Sequence, residues 1–461
     1  MPLKHGPELD PEFVPAELWN RNYEAKVAAN SGRTEIAIAL TRPDGSVFRH
    51  HTHVLPHAGD NLELNLRYVE RIVKLLLWTR GGSGVVIGGH KDLAGQIARH
   101  YGPGGPRAFD CDLVARRCFL EPLEVTSCDL DAVPQERSMA VSLGGHLEGC
   151  RIGFDLGGSD RKCAAVIDGE VVHSEEVEWQ PYFESDPAYH YAGILDSLHR
   201  AAAHLPRVDG IGGSAAGVYV DNQPRVGSLF RGVSEEDFAA GIRPIFERLR
   251  KAMGDVPFEV VNDGEVTALA ATLSLGAHAP LGIAMGTSLA SGYCDPEGHL
   301  TTQLNELAFV PVDYRVQAPV DEWSGDRGCG VQYFSQQAVA RLAPSAGIDL
   351  PEQMPLAERL IEVQSLMERG HPGARAIYST IGSYLGYSIP WFARWYDIES
   401  LLVLGRVLSG SGGDLIVHRA EEVLKEEFPE HASRLQFVIP DEKFKRHGQA
   451  IAAASLPRIE R

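Results

Sequence analysis

Arg151-Ile152-Gly153-Phe154-Asp155-Leu156-Gly157-Gly158-Ser159-Asp160-Arg161-Lys162 is the stretch on which the rest of the chain is organised. A short apolar strand ends in an acid and two glycines, and Ala164–Val172 continues as a hairpin-like return with a tight turn at Asp168-Gly169. This order makes a phosphate cradle. Gly157 and Gly158 can take backbone angles closed to other residues, so their N–H groups can approach phosphate oxygens, while Asp155 can hold the water shell of a magnesium ion. Two glycines in a turn also occur as a turn and nothing more. Three later segments add to the pattern.

The 461 residues, 44% hydrophobic and 23% charged, suit a soluble globular protein of two to four domains. A net charge of -19 argues against nucleic acid or an anionic membrane as partner, since both require a clustered basic face. Met1–Asp10 lacks an apolar signal core and no apolar run approaches bilayer length, so a cytoplasmic location is expected. Seven cysteines without a Cys-x-x-Cys pair indicate neither a zinc cluster nor a disulfide framework.

Residues 1–33 are rich in Pro, Glu and Asn and read as an N-terminal arm or irregular lead-in. From Thr34 a strand, a turn at Arg42–Gly45 and a return strand to Leu55 precede a helix over 61–80, whose Leu62, Leu66, Val69, Val73, Leu76 and Leu77 form one apolar stripe. Val85–Ile87 reads as a buried strand, Leu93–His100 as a short helix, and the region to about Val125 as further short strands. Residues 34–150 therefore form an α/β module. His51 and His53 would share one face of a strand and His50 the other, which disfavours a metal site.

Beyond the Asp155 stretch, Tyr191–Leu205 carries a helical stripe, and Val208–Val220 is a strand entering a small-residue loop. Gly213 and Ser214 there are candidate substrate contacts, with a well-packed turn as the alternative. A helix over 234–253 leads to a β-branched strand ending in Asn262-Asp263. A carboxylate at the end of a buried strand is held rigidly, as a base for a phosphoryl-acceptor hydroxyl must be; Asp at this junction equally suits a helix N-cap. Leu281–Tyr293 repeats the apolar strand and small-residue loop, where Thr287 and its neighbours could hold a terminal phosphate.

Asp155-Leu156-Gly157-Gly158-Ser159, Asn262-Asp263 and Gly286-Thr287 resemble the first phosphate loop, the catalytic Asn-Asp and the second phosphate loop of bacterial ROK sugar kinases. Val403–Gly413 is similar to their adenosine segment and Gly448–Ala453 to their closing helix. The resemblance covers about 151–461. It implies an α/β, two-lobed actin-like ATPase (ribonuclease H-like) fold, with a mixed five-stranded sheet in each lobe and an additional N-terminal α/β domain. The lobes would be residues 151–275, closed by a helix near 441–455, and 276–440. Asp263 would be the catalytic base, and Asn262 and Glu306 would contact a sugar or polyol. ATP would meet Gly157, Gly158, Ser159, Lys162, Gly286, Thr287, Gly405 and Ser409, with Mg2+ organised by Asp155.

Departures from that pattern bear on function. Phe309 stands where the family has a sugar-binding His, and Val331 where it has a Glu; of the family's zinc-binding cysteines only Cys329 remains, so no zinc site is expected. Asp326, Arg327 or Gln332 are candidate substitute contacts. Two functions follow from this, an ATP-dependent kinase of a sugar or polyol and a sugar or nucleotide sensor or scaffold of the same fold. A third is transfer to another acceptor, such as an acid or phosphosugar. The aromatic residues of 377–392 read as core packing, with a homodimer contact as the alternative, and the acidic helix 419–430 as a solvated face.

Overall fold

The computed structural model describes residues 3–139, 142–438, 440 and 448–459. Part of the N-terminal lead-in, expected to be irregular, is the helix α1 (Ala16–Ala28). Its buried face carries Glu17, Asn20 and Tyr23, so the polar composition that suggested an arm is itself packed: Arg394 donates to Glu17 at 2.6 Å and Tyr23 stacks on Tyr68 at 4.3 Å.

β1 (Thr34–Thr41) and β2 (Val47–Val54) form the first hairpin. α2 (Asn61–Arg80) follows as expected and ends at Gly81, whose φ of 74° suits glycine at a helix C-terminus. β3 (Gly84–Gly88) pairs antiparallel with β1 and parallel with β4 (Glu124–Cys128), giving the order β2-β1-β3-β4. Between them lie α3 (Lys91–His100) and α4 (Ala108–Asp110), the latter running into a π-helical turn over Cys111–Cys118. Short strands were expected there. Leu113, Val114 and Cys118 are instead buried on one face of a helical turn.

The second sheet has the order β11-β8-β5-β6-β7. β5 (Cys150–Leu156), β6 (Asp160–Ile167) and β7 (Glu170–Glu178) are an antiparallel meander, turned at Asp168 and Gly169 with φ of 47° and 83°. α5 (Pro187–Ala202) crosses to β8 (Gly210–Ala215), parallel to β5, and the small ribbon β9 (Val218–Val220) and β10 (Gln223–Val226) follows. The helix expected over 234–253 is broken: α6 (Glu235–Asp237) passes into a π turn, and α7 (Ile245–Ala252) restarts after Pro244, which cannot donate inside a helix. β11 (Phe258–Asn262) lies parallel to β8 and leads into α8 (Asp263–Leu275).

The third sheet has the order β13-β12-β14-β15. β12 (Pro280–Met285) and β13 (Leu289–Tyr293) form a hairpin; α9 (Gln336–Leu342), α10 (Leu356–Glu368) and the deeply buried α11 (Pro372–Ala393) precede β14 (Ser400–Leu404). α12 (Ser411–Glu427), α13 (Pro429–Ala432) and β15 (Gln436–Val438) complete the sheet, which has four strands among the described residues where five were expected. α14 (Gln449–Ala454) returns to β5, β8 and α8; most of the expected 441–448 part of this closing helix lies outside the described residues. No helix among the described residues is long and apolar enough to cross a membrane.

One apolar core joins the first sheet to the third, running from Ile36 and Trp78 through Leu281 and Tyr333 to Tyr384 and Phe428, whereas the meander sheet has a core of its own. Charged residues between the apolar positions of α2 are buried within the first of these. Asp326 receives Arg71 at 2.7 Å, Lys74 at 3.0 Å and Arg107 at 2.6 Å, and Lys74 also meets Asp110 at 3.0 Å. Against the cost of burial, these cations hold the Asp326 carboxyl far below the usual carboxylate range. The N-terminal module is thus locked to the third sheet by packing and by ion pairs together.

Candidate active site

Parallel pairing sets the ends of β5, β8 and β11 side by side, with Asp155 opposite Ser214 and Ala215 opposite Asn262. Ligand sites in α/β sheets collect at such carboxyl ends. Ser214, buried on β8, donates to Asp155 Oδ1, and Lys162 faces Asp155 from β6. Asn262 is the cap of α8: its Oδ1 accepts from Gly264 N at 2.7 Å, and its Nδ2 donates to Gly217 O at 2.7 Å. With the cap supplied by its neighbour, Asp263 is the first residue of the helix, and its Oδ1 accepts from Gly264 N at 2.9 Å.

The acids here interact. Burial, then the charge of Asp155, pushes the Asp263 carboxyl up to about 6. Burial, then the charge of Asp263, pushes Glu306 up to about 8, and burial does the same for Glu265. A carboxyl near 6 is largely ionised at neutral pH yet still basic enough to take a proton, the balance a general base needs.

Glu306 is positioned by the N-terminal module. Its N–H donates to Trp78 O at 2.9 Å and that of Asn305 to Thr79 O at 3.0 Å, both carbonyls at the end of α2. Asn305, with φ of 54°, donates through Nδ2 to Glu265 at 3.2 Å. Phe309, three residues beyond Glu306, stacks on Trp78 at 4.2 Å and meets Phe109 at 5.3 Å, so it belongs to the packing between module and third sheet. A cavity of 450 Å³ lies where the three sheets meet, lined by Arg42, Cys118 and Phe119, by Gly217–Asn222, Arg225 and Asn262, and by Thr301–Leu304, Glu265 and Glu306.

The glycine loops differ from expectation in one respect. Neither Gly157 nor Gly158 has a positive φ; a Cβ on Gly158 would instead lie 2.0 Å from the Tyr182 hydroxyl, so close approach is what requires glycine there. Ser159 and Thr287 are exposed in their turns, and Gly286 N–H donates to Ser288 O at 2.9 Å. Gly405 has φ of 105°, and a Cβ would fall 2.5 Å from Met285 O, which brings the Gly405–Ser409 turn, exposed at Gly405, Arg406 and Ser409, directly against the end of β12 next to Gly286.

The structure brings Asp155, Asp263 and Glu306 into one electrostatic group and places Asn262 on the cavity wall. Gly213 is not on that wall: it is interior to β8, and a Cβ would strike the Phe154 ring at 2.0 Å; Ser214 acts on Asp155. The three substitute contacts also lie elsewhere, Asp326 in its ion network, Arg327 donating to Ala318 O at 2.9 Å and Gln332 donating to Gln337. Val331 is buried, and no group of three or more His, Cys, Asp or Glu is placed to hold a metal among the described residues. Sequence reasoning missed Tyr219, which Asp263 and Asp155 both face electrostatically, and the cavity arginines Arg42 and Arg225. No motif marks these residues.

No family model matches the chain, and no curated protein matches it. Among solved structures, a ROK hexokinase from Thermus thermophilus superposes with a TM-score of 0.52 at 17% identity, covering 66% of this chain and 96% of the hexokinase. A ROK family transcriptional regulator, a homologue of the E. coli MLC protein, superposes with a TM-score of 0.51 at 18% identity, covering 67% of this chain and 79% of the regulator. The chain therefore has the two-lobed, actin-like fold of the ROK sugar kinases and regulators.

Proposed function

We propose that the protein is an ATP-dependent phosphotransferase acting on a hydroxyl of a sugar or related polyol. The observation that carries this is Asp263, set at the start of α8 beside Asp155 with its cap role taken by Asn262 and its carboxyl raised to about 6. ATP with magnesium supplies the phosphoryl group and neutralises its charge. The residues present fit this pair: the Gly157–Ser159 and Gly286–Thr287 turns, exposed at Ser159 and Thr287, and Lys162 would hold phosphate, Asp155 the magnesium shell, and the Gly405–Ser409 turn the adenosine. Asp263 takes the acceptor proton at its carboxylate, while Asn262 and Glu306 orient the acceptor in the cavity. Residues 34–150 act as an accessory module whose Arg42 and Phe119 complete the acceptor wall, and 151–275 and 276–440 are the two lobes.

Phe309 and Val331, given over to packing, favour a second reading in which the fold serves as a sugar or nucleotide sensor. ADP release from Mg-ATP across neutral, amino and acidic sugars and polyols, with Asp263→Asn alongside, separates the two. Acceptor-dependent release lost in the variant supports the kinase. Ligand-raised Tm without turnover supports the sensor.

A further inference from the structure

The cavity beside Glu306 contains guanidinium groups that phosphoryl transfer does not use. Arg225 lies on β10 and lines the cavity, with Nε and Nη1 buried and without a hydrogen-bond partner among the described residues. Arg243, just ahead of α7, is its like-charged neighbour and also has a buried, unpartnered Nε. Neither forms an ion pair among the described residues. Burial, then the charge of Arg243, lowers the Arg225 pKa from its ordinary value, and the charge of Asp221 offsets this only in part.

The N-terminal module adds a third cation. Arg42 is fixed through donation to the carbonyls of Arg80 and Gly81 and stands 5.1 Å over the Phe119 ring, and it too forms no ion pair among the described residues. The acids on the same wall offset these charges only in part: Asp221 acts on both Arg225 and Arg42 and Asp44 on Arg42, but none forms an ion pair with them among the described residues. Asp44 and Asp221 are exposed to water, and burial pushes Glu265 and Glu306 up to about 8, so both are largely uncharged at neutral pH; burial also raises Glu259. Buried guanidinium N–H groups without an acceptor are costly, and their planar fork matches a carboxylate or phosphate.

We propose that the acceptor carries an anionic group, a carboxylate or a phosphate monoester, bound by Arg225 together with Arg42 while its hydroxyl is presented to Asp263. This rests on the phosphotransferase reading and narrows its substrate to hydroxylated anions. The chain as a whole is strongly acidic, so the attraction for an anion is confined to the guanidinium groups on this wall that lack an ion-pair partner.

The test is ADP release from Mg-ATP with glucose, glucuronate and glucose 6-phosphate, together with Tm shifts by the same three compounds and by inorganic phosphate without ATP, in the wild type, Arg225→Gln, Arg225→Lys and Arg42→Gln. The expected result is an anionic compound preferred over glucose, with KM for it raised about tenfold or more in Arg225→Gln, kcat changed far less and KM for ATP unchanged. Glucuronate against glucose 6-phosphate tells carboxylate from phosphate. Glucose turned over as well as either anion, or an anion KM indifferent to Arg225→Gln, overturns the proposal while leaving the kinase standing. With no turnover at all, anion-raised Tm lost in Arg225→Gln keeps the anion site and discards the kinase; no Tm shift in the wild type discards both. If Arg225→Gln does not fold, the wild-type panel and Arg225→Lys, expected to bind more weakly than the parent, decide.

Discussion

Asp263→Asn removes a half-buried carboxyl and leaves its volume and its place on α8 unchanged. In the folded protein that carboxyl is raised to about 6 from 3.8, which at 1.36 kcal/mol per pH unit corresponds to a cost of about 3 kcal/mol for keeping it ionised. Between those two values the folded chain binds more protons than the unfolded chain. Wild-type stability attributable to this group therefore falls as pH rises from 3.8 through 6 and stays low above. The Asn variant does not titrate here, so it is expected to gain on the wild type by up to about 3 kcal/mol at pH 8 and by little near pH 4. Activity moves the other way. A base with this pKa makes wild-type kcat/KM rise about tenfold between pH 5 and pH 7, whereas a carboxylate left at its ordinary value would give a flat profile over that range. Urea denaturation at pH 4, 6 and 8 and ADP release from pH 5 to 8 measure the two limbs. A flat wild-type profile, or an Asn variant as active as its parent, would refute the role of Asp263 as base.

Asp326→Asn takes away the carboxylate shared by Arg71, Lys74 and Arg107 and should cost about 3–5 kcal/mol in urea denaturation, because buried cations are left underneutralised. Trp78→Ala removes the stack on Phe309 and the indole N–H donated to Asp110 at 2.9 Å. It should cost about 3–5 kcal/mol and raise KM for the acceptor more than KM for ATP, since α2 positions Glu306. Gly405→Ala forces a side chain into φ of 105° and into the Met285 carbonyl. Nucleotide KM should rise about tenfold with acceptor KM nearly unchanged, and the reverse split would show that the Gly405 turn serves the acceptor.

Elements set by neighbours in the chain are legible in the sequence. The apolar periodicity of 61–80 with Gly81 after it defines α2, and strand residues around Asp168-Gly169 define a hairpin whose glycine and aspartate tolerate positive φ. The order of Asp155, Asn262-Asp263 and Gly286-Thr287 carries the fold, because each motif ends a strand, and β5 and β11 run parallel in one sheet so that Asp155 and Asn262 stand at the same edge. Local pattern misleads where burial is polar or helical geometry irregular: α1 hides Glu17 and Asn20 on its packed face, and Cys111–Cys118 turns as a π helix where apolar residues suggest strands.

The candidate site divides in the same way. That Asn262 caps α8 and frees Asp263 depends on an amide bonding to Gly217, 45 residues away in sequence, and could not be chosen from the dipeptide alone. Sequence by itself determined α2, the β1-β2 and β6-β7 hairpins and the strands with Asp155 and Asn262 at their ends, since backbone sterics and burial periodicity act over a few residues. Only the tertiary structure decided that α2 supports Glu306, that Phe309 is core, and that Arg42 and Arg225 share one cavity, because those contacts follow from packing three sheets together.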